Sequence, residues 1–278
     1  MSDPLHIGRG GHRTWLKWHR GRRKASDPVF TAKRILEAMR LGASVEVDLV
    51  IHADHGCAVL HDKSLDRETT GSGLVRDASA ETLRRLHLRG NDGTPLPDRV
   101  LLLDDLCDLL AKNPPHPDAL LQLDFKEDLA ALDPLTVENF AFAVSSLTNS
   151  LILSGGAFDA ISLLANSAPG LMIGYDPCYG ASLDRLKATG DHMSFIKGAL
   201  DTAPAAGIIY LHHDIILAAD QAGFDMIGAV HDGGRKVDAW TIGNANPTTI
   251  PKVTRLLELK VDQITTDDPE GLAAAFDQ

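Results

Sequence analysis

What most constrains this chain is a rhythm of short apolar runs alternating with helical patterns along its whole length. The runs fall near residues 14–18, 44–51, 120–125, 151–154, 171–174, 207–211, 237–242 and 261–265. Most are continuous and rich in Leu or β-branched residues, as in strands covered on both faces. Helical patterns lie between them, at 30–41, 104–111, 134–147, 159–165, 183–187, 213–222 and 249–259; the first carries Phe30, Ile35, Leu36 and Met39. Strands interleaved with helices predict a parallel sheet, and eight strands suffice to close a barrel. The alternative is an open doubly wound sheet, but no GxGxxG loop supports it. The predicted fold class is α/β, a (β/α)8 TIM barrel. Such a barrel takes about 250 residues, so 278 residues fit a single domain spanning 1–278. One stretch, about 58–97, has no regular βα unit and reads as a small insertion after the second strand. After Thr266, Asp267-Asp268-Pro269-Glu270 reads as a helix cap with Pro early in a terminal helix.

Charge and cysteine usage narrow the function classes. The net charge of -11 disfavours nonspecific binding to nucleic acid or an anionic membrane. Aromatic residues at 5% argue against a base-stacking surface. An anionic substrate would need local positive charge or a metal. The segment 9–24 offers seven cations, Arg9, Arg13, Lys17, Arg20, Arg22, Arg23 and Lys24. It reads either as a solvated strand end or as a device that draws phosphate to a site. Cys57, Cys107 and Cys178 are unclustered, which predicts reduced thiols in a cytoplasmic protein. No run of about 20 apolar residues predicts a membrane span, so no stable membrane anchor is expected.

Glu46 and Asp48 lie two apart in the apolar run Val45-Glu46-Val47-Asp48-Leu49-Val50-Ile51. On a strand they point to one face. Paired carboxylates inside a barrel are costly unless a cation neutralises them. Interior Arg or Lys is one solution; a hard divalent cation, Mg2+ or Ca2+, is the other. Asp124, with Lys126 two residues on, sits near the C-terminal end of the third strand, the end where such barrels gather their sites. Asp124 would complete a metal set, and Lys126 would hold a phosphoryl oxygen; a plain charge pair is the blander reading. His19 and His61 are the acid/base candidates, because His exchanges protons near neutral pH and diester cleavage needs one proton taken and one given. Arg20 can grip phosphate with two bonds. Trp240 is either an apolar wall for the substrate alcohol or a core residue. The loop Thr69-Thr70-Gly71-Ser72-Gly73 lacks the Lys of a P-loop and reads as a turn.

As an ordered set, His19-Arg20-Gly21, Glu46/Asp48, His61-Asp62, Arg67/Thr69/Gly71/Gly73, Lys126, Trp240-Thr241 and Thr266-Asp267/Pro269 resemble the glycerophosphodiester phosphodiesterase family. The resemblance covers roughly 18–269. It implies a (β/α)8 barrel with an insertion after strand two and a divalent cation held at Glu46, Asp48 and Asp124. It also implies His19 and His61 as the general acid/base pair. In the mechanism proposed for that family, a substrate hydroxyl beside the ester attacks phosphorus, and water then opens the cyclic phosphate. Two departures stand out. A P-E-N-T segment is replaced by Asp27-Pro28-Val29-Phe30-Thr31, and the third metal carboxylate is Asp124 where Glu is usual. The shorter arm shifts a cation by on the order of 1.5 Å. Both changes bear on the headgroup more than on the chemistry. The expected activity is hydrolysis of a small polyol phosphodiester to a phosphomonoester and an alcohol, a role in lipid metabolism. Alternatives are a sugar diester of the agrocinopine type as substrate, a lyase stopping at the cyclic phosphate, and a non-catalytic phosphodiester-binding protein.

Overall fold

The computed structural model describes residues 4–276. Eight parallel strands form the barrel: β1 His12–Trp18, β2 Ser44–Ile51, β3 Leu120–Phe125, β4 Leu151–Ser154, β5 Met172–Tyr175, β6 Ile208–His212, β7 Lys236–Ile242 and β8 Gln263–Thr266. Each pairs with the next in sequence, and β8 returns to β1 with Thr266 opposite Trp18, which closes the sheet. The eight predicted strands are therefore all present, and the fold is a (β/α)8 barrel. The outward faces of β1 and β2 show why: Leu16, Trp18, Val45, Val47 and Leu49 are all buried beneath the surrounding helices.

The crossovers are richer than the sequence pattern suggests. Two further helices, His192–Thr202 and Met226–Asp232, follow the expected ones after β5 and β6. A short strand, His6–Arg9, pairs antiparallel with β1 across Gly10 and Gly11, both at positive φ. The helix expected to reach 147 ends at Val144. Between β2 and β3, Cys57–Val59 folds back antiparallel onto β2, and Ala80–Arg85 forms a helix capped by the Ser79 side chain. His87–Arg89 and Pro95–Arg99 then make a hairpin.

Below the mouth, the barrel is filled by polar side chains. Lys17 on β1 is buried, with its ammonium 2.9 Å from Asp238 on β7 and bonded to Gln122 on β3. Asp238 also accepts from Thr265 Oγ1 at 2.7 Å, and Gln122 donates to Ser154 Oγ at 2.8 Å. Lys17 Nζ lies 4.3 Å from the centre of the Tyr210 ring. That ring fits because residue 174 opposite it is glycine, where a Cβ would come within 2.4 Å of the ring. Removing one partner of a buried ion pair strands the other charge. Lys17→Met is therefore expected to cost about 3–5 kcal/mol and to lower the melting temperature by roughly 10 °C. Calorimetry showing wild-type stability would refute this account of the barrel floor.

Candidate active site

The C-terminal ends of the strands surround a cavity of about 170 Å³. It gathers His19, Arg20, Glu46, Asp48, His61, Asp124, Lys126 and Trp240, the whole set of residues singled out in the sequence. Lys17, Asp176, Tyr179 and Tyr210 join them.

The turn at His19-Arg20-Gly21 ends β1 and reverses the chain. Arg20 and Gly21 both take positive φ, at 54° and 73°. Glycine is required at 21 also because a Cβ there would lie 2.9 Å from Ile35 Cγ1. The conformation aims the Arg20 N–H at Glu46 Oε2, 2.9 Å away, and brings Arg20 Nε to 2.9 Å from Asp48 Oδ2. Arg20 holds an uncommon left-handed geometry for a non-glycine residue, of the kind that persists where surrounding contacts enforce it.

Both imidazoles are oriented by a carboxylate. His19 Nδ1 lies 2.7 Å from Asp267 Oδ1, and His61 Nδ1 lies 2.9 Å from Asp62 Oδ1. A carboxylate only accepts, so Nδ1 carries the proton and Nε2 is left toward the cavity in the neutral ring. Burial lowers the His19 pKa, and the neighbouring Asp267 only partly offsets this, so the ring favours its neutral form. Asp62 is gripped through two bonds by Arg67, at 2.6 and 2.7 Å, which brings its pKa down to about 2. Buried Glu68 accepts from the backbone N–H of His61 and of Asp62, at 2.9 and 3.0 Å. These bonds place the His61 loop independently of the imidazole.

Glu46, Asp48 and Asp124 each present an oxygen within 4.8 Å of the others. β2 and β3 pair in parallel with Asp48 opposite Asp124, and β4 places Ser154 opposite Asp124. Ser154 Oγ donates to Asp124 at 2.9 Å. Lys126 bonds Asp124 and approaches Asp48 at 2.8 Å. Burial raises the Asp48 pKa, but Lys126 and Arg20 outweigh it and draw it down to about 2. Glu46 goes the other way: burial, and then the Asp48 charge, push it well above the usual carboxylate range. Lys126 is held protonated by Asp124 and Asp48 in spite of its burial.

Trp240, on β7, stacks on Tyr179 at 6.0 Å and 13°, and its Nε1–H is buried without an acceptor. Phe30, in the segment that departs from the family pattern, is buried, with its ring 5.8 Å from the Arg20 guanidinium. Asp27 of that segment is turned to Arg34 and to the backbone of Arg23 and Lys24. Most of the basic segment also turns away from the cavity. Arg22 pairs with Asp267, Arg23 with Glu37 and Glu270, Lys24 with Glu270, and Arg9 with Glu258. Of that run, only Lys17, His19 and Arg20 line the cavity.

Sequence reasoning did not single out Glu68, Asp176, Tyr179 and Tyr210; it counted Lys17 only among the cations of segment 9–24 and matched Asp267 only as part of a motif. Lys17 was within reach, since strand alternation faces it inward, but it stood in a run of surface cations. Asp176, Tyr179 and Asp267 follow strand ends on loops, where no periodicity marks them.

Comparison with known proteins identifies the family and the fold. Residues 19–271 match the model of the glycerophosphoryl diester phosphodiesterase family. A glycerophosphodiester phosphodiesterase of Caldanaerobacter subterraneus subsp. tengcongensis is 26% identical over 258 residues, covering 91% of this chain and 94% of that protein. A crystal structure of a putative glycerophosphoryl diester phosphodiesterase from Silicibacter pomeroyi superposes with a TM-score of 0.73 at 20% identity, covering 97% of this chain and 95% of that one. An Oleispira antarctica phosphodiesterase, solved in complex with the product sn-glycerol-3-phosphate, gives 0.68 at 19% identity, covering 95% and 96%. The match spans both histidines and all three clustered carboxylates, and on it the chain belongs to the glycerophosphoryl diester phosphodiesterase family and is a phosphoric diester hydrolase.

Proposed function

We propose that this protein is a metal-dependent phosphodiesterase that cleaves a small polyol phosphodiester into a phosphomonoester of the sn-glycerol 3-phosphate type and an alcohol. The observation that carries this reading is one cavity lined by two imidazoles, each with Nδ1 committed to an aspartate, beside three clustered carboxylates. The catalytic unit in this reading is the whole chain, 1–278, as one domain. The three free cysteines are all buried, which accords with the cytoplasmic placement proposed from the sequence. No described helix is long and apolar enough to cross a membrane.

The carboxylate cluster fits a hard divalent cation. Its donors are all oxygen. Both Asp48 oxygens are buried, and neither makes an aligned hydrogen bond, although Arg20 and Lys126 lie close by. Burial, and then the Asp48 charge beside it, push the Glu46 pKa upward, so a third anionic oxygen in the cluster needs a further cation to stay ionised. Glu46, Asp48 and Asp124 would hold Mg2+ or Ca2+. Such an ion, when bound, polarises the phosphoryl oxygen and offsets charge developing on it.

The remaining steps belong to the side chains. Arg20 and Lys126 draw the phosphate into the cavity and orient it. One imidazole Nε2 takes the proton of the attacking hydroxyl, and the other gives a proton to the departing alkoxide. A hydroxyl beside the ester closes a cyclic phosphate. Water then opens it, with the proton transfers reversed. Trp240 and Tyr179 flank the alcohol.

The test is ³¹P NMR of the protein with Mg2+ or Ca2+ and a panel of diesters: glycerophosphocholine, glycerophosphoethanolamine, glycerophosphoglycerol and agrocinopine-type sugar diesters. A monoester resonance is expected from the glycerol compounds. It should vanish with a chelator and return with the ion. Monoester only from the sugar diesters would assign the pocket to a sugar headgroup, in keeping with the altered segment 27–31, whose Asp27 faces Arg34 and not the cavity. A cyclic phosphate as end product would make the enzyme a lyase. A silent panel would overturn the reading.

A further inference from the structure

A second cavity, of about 420 Å³, lies on the far side of Trp240 from the phosphate site. Its walls are Leu183 and Leu186 on helix Gly180–Thr189, Ile215 and Ala218 on helix His213–Gln221, Cys178, and the Trp240 indole. Within each helix the residues are three apart, so each pair shares a face. Two apolar helix faces thus look at each other across open space. Protein interiors close such gaps when nothing else fills them, and an apolar hollow of this size is characteristic of a ligand pocket. The extra helix His192–Thr202 helps frame it, since His192 is on the lining.

The wall is electrically quiet except at its rim, where the exposed Lys187 stands. Burial pushes the Cys178 thiol well above its usual range, and its Sγ accepts from the His212 N–H at 3.4 Å. Burial likewise favours neutral His212, whose Nδ1 accepts from the Asp214 N–H at 3.2 Å and whose ring meets Trp240 edge-on at 4.9 Å. The Asp214 carboxylate is already paired with Lys252 at 2.7 Å. A cationic headgroup would find no free counter-charge there, whereas a hydrocarbon would exchange water for carbon on every side.

We propose that this pocket receives an apolar chain carried by the alcohol half of the diester, so that the substrates include glycerophosphodiesters of medium-length aliphatic alcohols. The inference rests on the phosphodiesterase reading above. The phosphate sits among Arg20, Lys126 and the carboxylates, the ester oxygen lies beside the Tyr179–Trp240 stack, and the chain continues past the indole.

Binding of linear alkyl phosphates, from ethyl to decyl and below their micelle concentrations, tests this by calorimetry in the presence of Mg2+. Affinity is expected to rise about fourfold per added methylene until the pocket is full. Ala218→Trp fills the hollow from an exposed helix position and should flatten that rise, with the fold checked by circular dichroism. An affinity independent of chain length, no binding of any member, or an equal rise in Ala218→Trp would overturn the proposal. The assay needs no turnover, so the two readings fail separately. A steep rise with a silent diester panel would sink the hydrolase reading alone, and turnover with a flat series would sink the pocket alone.

Discussion

His61→Ala is expected to lower turnover by about 10²–10⁴-fold, the range of a lost proton-transfer group, with the melting point within a few degrees of wild type. The fold survives because the imidazole supports little of it. Its side chain is 37% exposed, and Glu68 holds the loop through backbone amides. Asp62 keeps its grip on Arg67 without the ring. His19→Ala should cost similar activity and more stability. That ring is 18% exposed, and its loss leaves Asp267 with Arg22 alone. Steady-state kinetics on whichever diester the NMR panel identifies, with a thermal melt of each variant, separates the two effects. Turnover near wild type in His61→Ala would remove it from the proposed acid/base pair.

Asp48→Asn should damage both chemistry and stability. The variant keeps the shape and loses the charge that Arg20 and Lys126 share. Two half-buried cations are then left under-compensated, at a cost of about 2–3 kcal/mol. The same change removes a charged donor from the cluster, and losing several kcal/mol of charge stabilisation lowers turnover by about 10²-fold or more. The stability gap carries a pH signature in metal-free protein. The folded Asp48 pKa is depressed to about 2 from an ordinary value of 3.8, so its contribution is complete above roughly pH 5. It is lost as the pH falls toward 2, and the denaturation midpoints of wild type and Asp48→Asn should converge over that window. A constant gap would mean that the carboxylate is not stabilised by its two cations.

The parts of the molecule legible in the sequence are those where one physical rule dominates. β2 and β3 coincide with the predicted runs at 44–51 and 120–125, because burial on both faces leaves uninterrupted Val and Leu. Glu46, Asp48 and Asp124 stood out as carboxylates interrupting those runs. Helices His192–Thr202 and Met226–Asp232 escaped because each holds a glycine, Gly198 and Gly228, and one crossover helix per strand already satisfied the expected pattern. Strand His6–Arg9 is short, although Gly10-Gly11 carried a hairpin signal. The two carboxylates that orient the histidines differ in the same way. Asp62 adjoins His61 in sequence, whereas Asp267 reaches His19 only because the barrel closes, across 248 residues. No local pattern can report that contact.

The plug formed by Lys17, Gln122, Tyr210 and Asp238 makes the reaction chamber a cul-de-sac. Exchange is confined to the strand-end face of the barrel, so the proposed two-step cleavage runs as compulsory-order traffic. The alcohol departs before water can take its place behind the phosphorus. Any second alcohol queuing at that face competes with water for the same vacancy. The enzyme would then be a phosphoryl-transfer catalyst whose hydrolytic outcome is set by what stands at the entrance, rather than by the groups that perform the proton transfers.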